Sequence, residues 1–279
     1  MNYINLNGKI LSEDTPALLV SNRGYRYGDG LFETIKVVNE NIQLGHFHFE
    51  RLFSGLSMLQ MKAPAFITPE ILIENILDLC KKNSCNSLAR VRLSVFRGNG
   101  GMYDDDDDTP QYVIECWPLP QRMPSINESG LVIDIFPHVL KSCDRYANLK
   151  SASSLCYVQA ACYASANKLN DCLVLNTYNN VADSTIANVF MIKDGKLKTP
   201  ALHQGCVSGV MRKWLIQKLT EKDFSIEEDV VSQLDLQEAD ELFLTNAIIG
   251  LKWVARLGDK SYTNTLSRII FKDIMETID

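Results

Sequence analysis

The sequence predicts an α+β protein built as two domains in one chain. Three observations carry this. Strand-like and helix-like segments interleave along all 279 residues, each half contains both kinds, and a proline-bearing stretch, WPLPQRMPSINESG, separates the halves. The expected boundaries are an N-terminal α+β domain over 1–117, a linker over 118–129 and a C-terminal α+β domain over 130–279.

Taken in order, YINLNGKILSE alternates around Asn7-Gly8, a pair that favours the left-handed turn of a hairpin. Phe49, Leu52, Phe53, Leu56 and Leu59 then recur at helical spacing. TPEILIENILDLCKKN predicts a second helix, with Thr68 as N-cap and Pro69 at the first helical position. LARVRLSVF and QYVIECW predict strands, joined by the loop RGNGGMYDDDDDTP. The five aspartates, Asp104 to Asp108, lack the alternating ligands and turn glycine of a calcium loop, so a solvated loop is expected there.

In the second half, LVIDIF predicts a strand. A helix follows Lys150, with an apolar stripe at Leu155, Val158, Cys162, Ala166 and Leu169. Strands DCLVLN and ANVFMIK lead to a hairpin at Asp194-Gly195. Helix SGVMRKWLIQKL and strands ELFLTNA and KWVARL complete the domain.

Bulk properties exclude several classes of function. A net charge of −6 gives no basic face for nucleic acid. No apolar run approaches the roughly 20 residues of a bilayer span, and MNYINLNGKI does not resemble a signal peptide. The eight cysteines form no C-x-x-C pair, and most lie in apolar stretches where a reduced thiol behaves as a small hydrophobe. A cytoplasmic protein with free thiols and no resident metal is expected.

The chemistry centres on Lys150, which heads the charge-free run SASSLCYVQAACYA. Ser151, Ser153 and Ser154 can cap a helix starting there, and a dry site near a positive helix end favours the neutral amine. Read alone, a surface lysine is the simpler account. The turn GCVSGVMRK, opening a helix near Val207 and Ser208, offers backbone N–H groups to an anion such as phosphate. LTNA places Thr245 and Asn246 at a strand end. A reactive lysine with a phosphate cup points to pyridoxal 5'-phosphate, which also needs an acid at its ring nitrogen; Asp183 in NNVADSTIANVF is the candidate.

Five pieces in order then resemble the fold-type IV pyridoxal-phosphate enzymes, the class IV aminotransferase family with its D-amino acid aminotransferase-like fold. They are NRGYRYGDGLFETIKV, HFHFERL, NLKSASSL, VADSTIANVFMIKDGKLKTP and GCVSGVMRK. The resemblance implies that Lys150 is the Schiff-base lysine and catalytic base. It implies that Arg51 binds the cofactor phosphate, with Val207, Ser208 and Thr245, although helical periodicity alone turns Arg51 toward solvent. Asp183, 33 residues beyond Lys150, stands where the family usually has glutamate.

Among members, SVFRGNGGMY and ADELFLTNAIIG resemble aminodeoxychorismate lyases most, with Met102 replacing an arginine. The resemblance then implies release of pyruvate and 4-aminobenzoate from 4-amino-4-deoxychorismate, a step toward folate. A branched-chain or other aminotransferase, and a non-catalytic cofactor-binding protein, are the alternatives. Phe32, Arg92 and Arg97 are the expected substrate-binding residues for a small amino substrate, and a homodimer is implied by the family.

Overall fold

The computed structural model describes residues 2–100, 103, 109–120 and 125–278. Met102, the Asp104–Asp108 run and the centre of the expected linker lie outside the described residues. The chain divides into two units, Met1–Arg122 with Lys150–Ser153, and Met123–Leu149 with Ser154–Asp279. The division differs from the expected one chiefly at Lys150–Ser153, which join the first unit.

The first unit opens with β1 (Tyr3–Leu6) and β2 (Lys9–Ser12). Asn7 and Gly8 both take positive φ, 50° and 86°, as the hairpin requires. A short α1 (Arg23–Tyr27) leads to β3 (Gly30–Val38), β4 (Asn41–Ile42) and α2 (Gly45–Met58). Next come α3 (Pro69–Lys82), β5 (Leu88–Arg97) and β6 (Pro110–Pro118). Thr68 caps α3, its side chain accepting from Ile71 N–H at 3.4 Å.

These strands form one sheet in the order β2-β1-β6-β5-β3-β4. Alternation along β3 and β5 buries Leu31, Ile35, Val37, Val91 and Leu93 beneath α2 and α3. The opposite face presents Phe32, Thr34, Lys36, Arg90, Arg92 and Ser94, all half-buried.

The second unit contains β7 (Leu131–Ile135), α4 (Leu155–Ala166), β8 (Asp171–Leu175), β9 (Val181–Ser184), β10 (Asn188–Lys193) and β11 (Lys196–Pro200). They are followed by α5 (Val210–Glu221), β12 (Ile226–Asp229), α6 (Gln233–Glu238), β13 (Glu241–Asn246), β14 (Gly250–Leu257), β15 (Lys260–Ser261) and α7 (Thr265–Asp273). The sheet runs β12-β11-β10-β13-β14-β7-β8-β9, with β15 on β14. It is mixed: β11–β12, β14–β7 and β7–β8 are parallel pairs, the rest antiparallel. Asp194 and Gly195, φ 50° and 75°, turn the hairpin between β10 and β11 as expected.

Two expectations about the lysine segment are corrected. The helix does not begin directly after Lys150: it starts at Leu155, and its N-cap Ser154 makes no side-chain cap bond. Its expected stripe is also the wrong face, with Leu155 70% and Val158 51% exposed. Ala160 and Ala164 are buried instead, packed with Cys172 and Val174 of β8 and flanked by Tyr157 and Tyr163. Small residues let the helix lie close on the strand, and tyrosine rings supply the apolar surface that periodicity assigned to leucine and valine.

Candidate active site

In the first unit, Lys150 is held by the sheet. Phe32 N–H donates to the Lys150 carbonyl at 3.0 Å, and Ala152 N–H donates to the Gly30 carbonyl at 2.9 Å. Leu31 and Ser151 form an antiparallel bridge, so 150–152 act as an extra strand segment at the start of β3. This pairing fixes the lysine's Cα on a rigid element while its side chain extends over the Phe32 ring, Nζ 4.4 Å from the centroid. The Arg92 guanidinium carbon lies 3.8 Å from the same centroid, and Arg92 Nε donates to Ser94 Oγ at 3.1 Å. Lys150, Phe32 and Arg92 are thus brought together, a cation–π cluster.

The same face carries more positive charge than the sequence signalled. Lys36 pairs across the strands with Arg90, and Thr34 with Arg92, whose other neighbour is Glu115. Arg90 stacks against Trp117, 5.3 Å from its ring. Burial lowers the pKa of Lys36; at Arg92 burial also lowers it, with Glu115 opposing. Alternation along β3 and β5 could have revealed this row, because Lys36, Arg90 and Arg92 share one parity with Phe32.

Behind that sheet, Glu33 holds Arg51 and His48. Arg51 Nε donates to Glu33 Oε1 at 2.8 Å, Arg51 Nη2 bonds Oε2, and His48 Nδ1 lies 2.6 Å from Oε2. Burial pushes Glu33 up, but the Arg51 charge and the two hydrogen-bonding partners outweigh it and bring the carboxyl down to about 2. His48 is lowered, first by burial, so it is neutral at pH 7. Periodicity therefore misplaced Arg51: its fork turns inward onto Glu33 rather than into solvent. Arg97 is also corrected as a substrate anchor. Its Nε binds Asp29 at 3.0 Å and its Nη2 donates to the Leu59 carbonyl at 2.8 Å, which ties β5 to the end of α2.

In the second unit, Asp183 is almost fully buried at the centre of a donor set. Its Oδ2 accepts from Lys141 Nζ at 3.0 Å, Tyr157 OH at 2.7 Å and Val207 N–H at 2.9 Å. Its Oδ1 accepts from Asn188 Nδ2 at 3.0 Å. Burial and the Asp183 charge raise the Tyr157 hydroxyl well above the usual phenol range, so it stays a donor. Sequence reading missed Lys141, Tyr157 and Asn188. Asn188 sits in the ANVF segment, whereas Lys141 leaves no periodic or motif signal. Lys141→Met is expected to cost about 2–4 kcal/mol, because Asp183 would keep only neutral donors in a buried site. An unchanged denaturation midpoint would show that those donors alone carry the charge.

The expected phosphate cup differs in detail. Val207 N–H is engaged by Asp183, and Ser208 N–H donates to the Asn148 carbonyl at 3.0 Å. The turn packs back onto its own unit rather than opening both amides. What remains suited to an anion is the start of α5. Gly209, its N-cap, has no side chain to cap the first turn, and an added Cβ would collide with Asn188 Oδ1. Asn188 pairs across the sheet with Thr245, whose buried Oγ1 has no partner among the described residues. An uncapped helix start and an orphaned hydroxyl are what phosphate oxygens satisfy. Asp183 Oδ1, with one hydrogen bond, has room for a ring N–H. The residues of this unit fit pyridoxal phosphate.

Residues 30–257 match the family Amino-transferase class IV, and the chain belongs to that family, whose members are pyridoxal-phosphate-dependent enzymes. It is 28% identical over 274 residues to a putative branched-chain-amino-acid aminotransferase of Methanocaldococcus jannaschii, covering 98% of this chain and 94% of that one. It is 27% identical over 242 residues to the aminodeoxychorismate lyase of Vibrio harveyi, covering 86% and 87%. Among solved structures, the fold matches the 4-amino-4-deoxychorismate lyase of Pseudomonas aeruginosa at a TM-score of 0.85 and 25% identity, covering 99% of each chain. The family's two activities, lyase and aminotransferase, are thus both represented among its relatives.

Proposed function

We propose that the chain is a 4-amino-4-deoxychorismate lyase, releasing pyruvate and 4-aminobenzoate. The observation that carries this reading is the cationic face of the first unit. Lys36, Arg90 and Arg92 share it with Phe32 and Lys150, and Glu115 is the acid beside them among the described residues. A branched aliphatic side chain gains nothing from three cations, whereas a substrate with one carboxylate on its ring and another on its enolpyruvyl group is matched by them.

In this reading Arg92 and Arg90 bind the carboxylates, and Phe32 packs against the substrate ring. Lys150 Nζ takes the proton from the amino-bearing ring carbon. Asp183 Oδ1 holds the pyridine proton, while Lys141 and Tyr157 fix the carboxylate through its Oδ2. Thr245 Oγ1 and the first N–H groups of α5 hold the phosphate. Pyridoxal phosphate, when bound, supplies the electron sink that makes the carbon proton acidic. The enolpyruvyl group leaves from the adjacent carbon as that proton is lost, and its methylene carbon takes up a proton to give pyruvate. The enzyme is proposed to act in the cytoplasm as a homodimer.

The test is incubation of the cofactor-loaded protein with 4-amino-4-deoxychorismate and no keto acid. Equal release of pyruvate and 4-aminobenzoate supports the lyase. Keto-acid-dependent amino transfer from branched-chain amino acids, with no 4-aminobenzoate, would replace it by the aminotransferase reading. No turnover of either kind would leave a cofactor-binding protein.

A further inference from the structure

Three cysteines far apart in the sequence meet in the first unit, away from Lys150. Cys80 lies in the last turn of α3, Cys85 just beyond it, and Cys116 on β6. All three are buried, and their sulfurs lie within 4.8 Å of one another. Cys85 Sγ is 3.5 Å from Cys116 Sγ. Three thiolates around one metal at about 2.3 Å place their sulfurs about 4.0 Å apart, inside the range this cluster spans. Closing it on an ion needs only small shifts of the side chains.

The surroundings favour a cation. Cys116 Sγ accepts from Asn83 Nδ2 at 3.2 Å and lies 3.8 Å from the Leu79 carbonyl. The carbonyl end of α3 points its negative pole toward the cluster, which opposes a bare thiolate and welcomes a positive ion. A groove of about 320 Å³ between β1 and β6 reaches Cys116, with Glu13 and Glu115 on its walls. Glu13 on that wall gives a cation an approach of suitable sign.

We propose that Cys80, Cys85 and Cys116 together hold one thiophilic d10 metal ion, with Zn2+ the commonest candidate. Each thiol that ligates gives up its proton to solvent, so three S–H bonds become three metal–sulfur bonds with no change of oxidation state. The proposal is independent of the lyase reading.

Cadmium, which reports thiolate binding by its ligand-to-metal charge-transfer absorbance, is the probe. Reduced, metal-stripped, full-length protein is expected to develop that absorbance and saturate at one ion per chain. Cys116→Ser should weaken binding at least about a hundredfold, while Cys162→Ser, altering an exposed thiol of the other unit, should leave it unchanged. Should Cys116→Ser fail to fold, alkylation of wild type mapped by mass spectrometry gives a second readout: cadmium must protect Cys80, Cys85 and Cys116 selectively. Absence of the absorbance at one equivalent, or protection confined to other cysteines, overturns the site. So does conversion of Cys85 and Cys116 to a disulfide by peroxide in protein that binds no cadmium.

Discussion

Replacing Lys150 by alanine is expected to lower turnover at least about a thousandfold while leaving the fold intact. The fold survives because the ties to β3 run through backbone groups of Phe32, Lys150, Gly30 and Ala152, all of which alanine preserves. What is lost is the amine over the Phe32 ring. Two measurements separate the cases. Borohydride treatment of cofactor-loaded wild type should fix the cofactor to the peptide bearing Lys150, and the variant should show no such adduct. A variant that turns over within about tenfold of wild type would remove Lys150 from the chemistry, whatever the substrate.

Glu33→Ala is expected to destabilise the protein by about 3–5 kcal/mol, the cost of stranding the Arg51 charge in a buried site. The acid response follows from the same cluster. Glu33 titrates at about 2 in the fold against 4.5 in the open chain, so its contribution is complete above 4.5 and fades as pH falls toward 2. The difference amounts to about 3 kcal/mol. His48 acts in the same sense: its folded pKa is lowered, so stability begins to fall as pH drops below the open-chain value of 6.5. Urea midpoints measured from neutral to about pH 3 should therefore decline in wild type and flatten in Glu33→Gln below 4.5. Parallel curves for the two proteins would assign the acid loss to other groups.

Much of the fold was legible because local chemistry decides it. Asn7-Gly8 and Asp194-Gly195 sit in positive-φ turns, and Thr68 with Pro69 starts α3, where turn and capping residues act on their own neighbours. The face buried by α4 was not legible. Its helix carries no charge to mark a wet side, so periodicity had little contrast, and packing on β8 selected the alanines.

Arg51 and Arg97 show a second limit. A guanidinium reaches several ångströms from its Cα, and its direction is set by carboxylates at Glu33 and Asp29 that helix or strand phase does not encode. The motif pieces located Asp183, yet the donors that surround it come from four separate segments, which only the tertiary fold assembles. The thiol cluster escaped notice for the same reason, since Cys116 follows Cys85 only after an intervening strand and loop.

The way Lys150–Ser153 return to the first unit has a consequence for how the protein is made. The edge of β3 at Gly30–Phe32 stays unpaired at the ribosome until residue 152 has been added, by which time synthesis of the second unit is already under way. A fragment ending at residue 122 would contain every strand of the six-stranded sheet and still lack the amine that lies over it. A gene split at that boundary would part the reactive side chain from the strand that holds it.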